Sequence, residues 1–335
     1  MLRRVMIALL IVGLAPGLWW QMPRPAPVYE QRVDVRPVPV DPALAQLGPL
    51  RLSGVWHLTS PHEWFGGYSA LVAVRPGRLL AFSDRGYAID LPLPGSPAVE
   101  PARILTATGD DKALKASRDI EAATYDPRQD EIFLAMEFRN AITRTTPALQ
   151  GWQMAFPRLM QGWSGNQGPE AMVRLADGRF VVLGERDGGW RDRDSHPALL
   201  LAGDPTRGTS EQAFTYDSNG SGRPTDMAQL PDGRVLILQR TLLWPFPPRF
   251  SGAIALADPA TLQPGGRWRG KVLARLEAPL PVDNFEGLTI TPAPGGKVHV
   301  WLISDDNMAV TQRTLLWRLE LNLADLPAME RPATR

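Results

Sequence analysis

Five times along the chain the same short pattern returns: a polar or acidic residue opens an apolar run of strand length, a turn follows, and a second apolar run ends in a charged residue. The clearest copy is Asp283-Asn-Phe-Glu-Gly-Leu-Thr-Ile-Thr followed by Val298-His-Val-Trp-Leu-Ile-Ser-Asp-Asp-Asn307. The earlier copies are residues 66–74 with 79–86, 119–125 with 131–137, 166–175 with 179–185, and 224–230 with 235–240. Taking Ser69, Glu121, Glu170, Asp226 and Glu286 as equivalent gives steps of 52, 49, 56 and 60 residues. A recurring period of that size means a propeller, a solenoid or an array.

The geometry of one copy says where to look for function. In a hairpin the second strand returns beside the first, so the start of one and the end of the other share an edge. Arranged as blades around an axis, the copies bring Asp84, Glu121, Glu137, Glu170, Glu185, Asp226, Glu286 and Asp305 to one end of a central channel. Such crowding raises carboxylate pKa values unless a cation or basic side chains offset the repulsion.

Composition narrows the remaining classes. With 36 Lys+Arg against 35 Asp+Glu the chain has no electrostatic footprint for nucleic acid. It contains no cysteine, which excludes disulfides, zinc thiolate sites and cysteine nucleophiles. Its 30 Gly and 33 Pro fit many turns between short strands. The 11 Trp are expected mainly in packing between blades.

Residues 1–20 carry Arg3 and Arg4 ahead of an apolar run from Val5 to Trp20, which reads as an export signal or N-terminal anchor. Gly13, Pro16 and Gly17 break the run too often for a comfortable span. The expected location is the periplasm or the exterior, with tethering to the inner membrane if the segment is not cleaved. Residues 21–49 hold seven prolines and are expected to form an extended linker or a strap. The folded unit is expected over 50–322, with a tail at 323–335.

Within that unit the reading is all-β, and the fold class is a β-propeller. Weaker strand candidates between the hairpins, at 103–107, 198–202, 213–216, 252–257 and 271–276, bring each repeat to about four strands, one blade. Five blades are visible and six remain open. Residues 314–321 leave the last blade one strand short, and 50–58 could supply it, closing the ring with both termini.

Phe82-Ser-Asp-Arg-Gly86, Asn166-Gln-Gly-Pro-Glu170, Asp283-Asn-Phe-Glu-Gly-Leu288 and Ile303-Ser-Asp-Asp-Asn307 together resemble the phytase-like, or "esterase-like activity of phytase", family of bacterial exported proteins. The resemblance covers roughly residues 55–320. It implies a β-propeller and hydrolysis of phosphate or other esters with a divalent metal. Ser69 stands where the pattern expects Glu, and Arg240 replaces the second acid of the fourth copy.

The rim then has a chemical reading. Hard cations, calcium first, take carboxylate oxygens from several segments, and Glu121, Glu170, Asp226 and Glu286 would supply one ligand per blade. Asp305 or Glu185, if not a ligand, would act as base. Arg85, Arg186 and Arg240, with Asn166, Asn284 and Asn307, would bind the substrate, a small phosphoester or carboxylic ester. The competing reading is that each arginine pairs with a neighbouring glutamate to make a charge-balanced plug.

Two further functions fit the same sequence: a non-catalytic envelope propeller that binds a ligand or partner protein, and a lactonase-type propeller hydrolase. A monomer is expected. Gly67-Tyr-Ser-Ala-Leu71 does not complete a nucleophile elbow. His57, His62, His196 and His299 show no metal-binding spacing.

Overall fold

The structure, a computed structural model, describes residues 5–6, 26–95, 100–107, 119–163, 168–185, 192–245 and 248–328. The described residues form five sheets arranged as the blades of a propeller. The first blade contains Tyr68–Arg75, Arg78–Ser83, Tyr87–Pro92 and Arg103–Thr106. The second contains Ile120–Asp126, Glu131–Met136, Ala141–Thr145 and Gln153–Ala155. The third contains Pro169–Arg174, Phe180–Gly184, Ser195–Leu201 and Glu211–Asp217, with Arg267–Arg269 added in parallel at its edge. The fourth contains Arg223–Gln229, Val235–Pro245, Pro248–Ala257 and Lys271–Leu276.

In the fifth, Asn284–Pro292, Lys297–Asp305 and Thr314–Asn322 are followed in space by Leu50–Thr59 from the other end of the chain. The register there runs from Thr314 opposite Leu58 to Leu321 opposite Leu50.

The hairpin turns follow from their residues. Leu175 N and Leu230 N bond back to Arg179 O and Arg234 O, so Ala176-Asp-Gly178 and Pro231-Asp-Gly233 are three-residue loops. Gly178 and Gly233 hold φ of 95° and 92°, which a β-carbon would disfavour.

Second strands such as Phe180–Gly184 are apolar on both faces because each blade is covered by a neighbour on either side. The core is accordingly divided into five clusters, one for each pair of adjacent blades. One of them joins Trp301, Ile303 and Leu316 of the fifth blade to Tyr68, Leu71 and Leu79 of the first, so the packing runs unbroken around the ring. Trp268, Trp301 and Trp317 are fully buried in these seams.

The chain before Leu50 departs from the expected linker. Asp34–Pro37 pairs with Leu50–Thr59 as the outermost strand of the fifth blade, and Gln46–Leu47 pairs with the same strand. Proline is tolerated at such an edge because its missing N–H faces outward. After the last strand, Leu326 tucks into the seam between the fourth and fifth blades. The expected export segment lies, apart from Val5 and Met6, outside the described residues. Among those described, no helix is long and apolar enough to cross a membrane.

Candidate functional site

Every innermost strand breaks register where it enters its blade. The shifts fall between Tyr68 and Ala70, Ile120 and Ala122, Pro169 and Ala171, Pro224 and Asp226, and Phe285 and Gly287. A bulge of this kind leaves one residue unpaired and re-aims its side chain. The five unpaired residues are Ser69, Glu121, Glu170, Thr225 and Glu286.

The fourth blade therefore corrects the sequence reading: Thr225, not Asp226, is the counterpart of the glutamates. A slip of one residue exchanges the two faces of a strand. Asp226 is fully buried and accepts hydrogen bonds from Met227 N at 2.8 Å, Leu288 N at 2.6 Å and the backbone N–H of Leu71. It ties three blades together, and burial holds its carboxyl well above the usual range despite those donors. That is a structural clamp and not the ligand expected. The two hydroxyl residues also serve structure: Ser69 Oγ donates to Ile120 O at 2.5 Å and Thr225 Oγ1 to Phe285 O at 3.4 Å, each reaching the strand of another blade just before its bulged glutamate.

The ends of the second strands supply the other half of the mouth. Glu137 N bonds to Asp119 O and Glu185 N to Gly168 O, which sets Glu137 and Glu185 beside the bulges of the second and third blades. Two groups of carboxylates result, Asp119 with Glu121 and Glu137, and Glu137 with Glu170 and Glu185. Within each group the nearest oxygens lie within 4.8 Å of one another. Glu137 belongs to both.

The electrostatics follow from that crowding. Burial, then the surrounding Glu170, Glu286, Asp119 and Glu137, hold Glu121 well above the ordinary carboxylate range. Glu170 is raised likewise, by burial first and then by Glu185 and Glu137. Glu137 is pushed up to about 7, mainly by burial and, among the neighbouring charges, by Asp119 and Glu185. A hydrogen bond between the Glu137 and Glu170 side chains moderates the rise. Two carboxylates that share a hydrogen bond must hold a proton between them.

Across the channel the charge changes sign. Arg240 donates from one nitrogen to Glu286 Oε1 at 2.5 Å and Asn284 Oδ1 at 3.0 Å, and from another to Glu185 Oε1 at 3.1 Å. Arg223 lies 3.0 Å from the same Glu185 oxygen. Asn284 Nδ2 donates to Glu286 at 2.9 Å. The plug of paired charges considered from the sequence is thus present for Glu286 and Glu185. Among the described residues no arginine or lysine pairs with Glu121, Glu137 or Glu170. Asp305 is buried, held high first by burial and then by Glu286, and accepts from Asn307 N at 2.7 Å.

The expected site residues therefore separate. Glu121, Glu170 and Glu185 come together, while Glu286, Asn284 and Arg240 form the charge-paired side. Arg85 stands over the Tyr87 ring at 5.6 Å and donates to Glu63 O at 3.4 Å, contacts outside both carboxylate groups. Asn307 is an exposed turn residue with φ of 49°. Asn166 and Arg186 lie outside the described residues. Asp119 and Glu137, not counted among the candidate ligands from the sequence, belong to these carboxylate groups, and Arg223 joins the basic side. The signal for Asp119 and Glu137 was their place at the open end of the second hairpin.

A family model described as "Phytase-like: Esterase-like activity of phytase" matches residues 63–308. No curated protein matches the chain. Among solved structures, one in a nidogen/laminin complex shares 15% identity over 77% of this chain and 86% of that one, with a TM-score of 0.45. The WD40 β-propeller domain of Doa1 shares 8% identity over 83% and 99%, with a TM-score of 0.41. A luciferin-regenerating enzyme shares 10% over 80% and 84%, with a TM-score of 0.44.

Proposed function

The chain belongs to the phytase-like family, and from that premise we propose that it hydrolyses phosphate or carboxylic esters at the acidic side of its channel mouth. The observation that carries the reading is the pair of carboxylate groups sharing Glu137, with oxygens in mutual reach and arginines facing them. An all-oxygen donor set fits a hard divalent cation, calcium first; Asp119, Glu121, Glu170 and Glu185 would hold it, leaving Glu137 between them off the ion. When bound, such an ion supplies positive charge for a phosphate or ester oxygen and acidifies water.

The chain's own groups divide the rest of the work. Arg240, fixed by three acceptors, and Arg223 present guanidinium forks suited to a phosphate or carboxylate. Glu185 orients both arginines, so it is a poor base. That role passes to Glu137, whose carboxyl burial raises to about 7 in the metal-free protein. Asp305, whose carboxyl burial and then Glu286 hold well above the usual range, is suited to donate a proton to a departing oxygen.

The test is hydrolysis of p-nitrophenyl phosphate and p-nitrophenyl acetate by the purified chain, with and without EDTA, and by Glu137→Gln. The expected result is turnover lost with EDTA and reduced about 100-fold or more by the substitution. Turnover indifferent to both changes would overturn the reading.

A further inference from the structure

Among the described residues from 26 onward, most of the large hydrophobic side chains that stand exposed lie on one face. Phe138 follows Glu137 at the mouth, and Met308 and Val310 follow Asp305 in the loop that leaves it. Val28 and Tyr29 border the same face, where Val28 O accepts from Glu63 N and Tyr29 meets the rings of His62 and Trp64. Phe156, which follows the outer strand of the second blade, lies beneath Arg139 at 5.6 Å but also borders Pro205 and Gly208 of the third blade's opposite-face turn. Met154 shares that outer blade edge, and no such side chain appears among the described turns of the opposite face.

A hairpin projects from this face. Beyond Arg240, Thr241–Pro245 pairs with Pro248–Ser251, carrying the fourth blade about 15 Å past the rim at the usual rise per residue. Its side chains Leu242, Leu243 and Trp244 are 55%, 59% and 59% exposed. Exposed Arg249 pairs opposite Trp244, as exposed Arg139 flanks Phe138. Aromatic rings beside arginines are the composition of a surface at the boundary of lipid and water.

The chain's own path says what covers this face. The sequence before Val28 holds the apolar run Val5 to Trp20, and only eight steps separate Trp20 from Val28. With prolines at 23, 25 and 27, that stretch spans at most about 25–30 Å. It joins the propeller on the mouth face, because Asp34 lies opposite Thr59, the end of its strand nearest the mouth.

We propose that the mouth face docks on a lipid bilayer, with the Leu242-Leu-Trp244 tip entering the interface and the channel opening toward the membrane. This does not rest on the hydrolase reading, and it holds equally for a propeller that only binds. The absence of cysteine allows a clean test. Full-length Trp244→Cys and, on the opposite face, Ala260→Cys are labelled with an environment-sensitive dye and reconstituted in phosphatidylcholine nanodiscs with and without brominated acyl chains. The dye at 244 is expected to shift to the blue and be quenched by the brominated lipid, while the dye at 260 stays in water. Two equally hydrated dyes, or quenching at 260 and not at 244, would overturn the proposal. A dye at 244 that is shielded yet unquenched would overturn it as well and assign the face to a protein partner.

Discussion

Glu137 is the titrating centre of the mouth, and its environment gives stability a definite pH dependence. A carboxyl whose pKa is raised from 4.5 to about 7 binds protons more tightly folded than unfolded. Stability from that group is present below the unfolded pKa and is lost as pH rises from about 4.5 through 7. The metal-free protein is therefore expected to melt at falling temperature across this window, and Glu137→Gln to flatten the slope. A melting temperature that rises with pH there would contradict the assignment. Asp226 should behave differently because it holds backbone donors and not an ion. Asp226→Ala leaves buried N–H groups unsatisfied and should cost about 3 kcal/mol in a urea unfolding experiment, with calcium affinity unchanged. Glu170 and Asp226 each stand near the start of an apolar strand in the sequence, and only the register distinguishes them.

The bulge at the head of each innermost strand explains what could and could not be read beforehand. Asp84, Glu137, Glu185, Arg240 and Asp305 were legible as a ring because hairpin geometry alone puts the ends of second strands at the open edge. Which first-strand residue faces the channel was not, since an extra residue shifts the alternation without altering composition. Hence Thr225 was passed over for Asp226. The edge strand Asp34–Pro37 was hidden for a related reason: proline density argues for an extended chain but does not say whether it pairs. The bulge in the fifth blade brings its own demand. Gly287 follows it at a point where a β-carbon would lie 2.6 Å from Ile303 Cγ2 and 3.0 Å from Leu71 Cβ, in the seam with the first blade. Gly287→Val should cost about 1–3 kcal/mol by overpacking, read as a lower urea midpoint with an unchanged denaturant slope.

For the molecule entire, the excess of carboxylates on the second and third blades is repulsion that a cation would relieve. Calcium at about a hundred times its dissociation constant should add roughly 2.7 kcal/mol, seen as a higher melting temperature reversed by EDTA. Glu121→Gln combined with Glu170→Gln should abolish that gain, and an undiminished gain would rule the pair out as ligands. The seam of the fifth blade has a different bearing. There Ser53 Oγ donates to Arg318 O across 265 positions of sequence. The strand Leu50–Thr59, although synthesised among the first, cannot find its partner until Thr314–Asn322 has been made. Asp34–Pro37 and Gln46–Leu47 can pair with one of its edges early, but the other must stay open for nearly the whole of translation, so the nascent protein depends on whatever shelters that sticky edge from its neighbours.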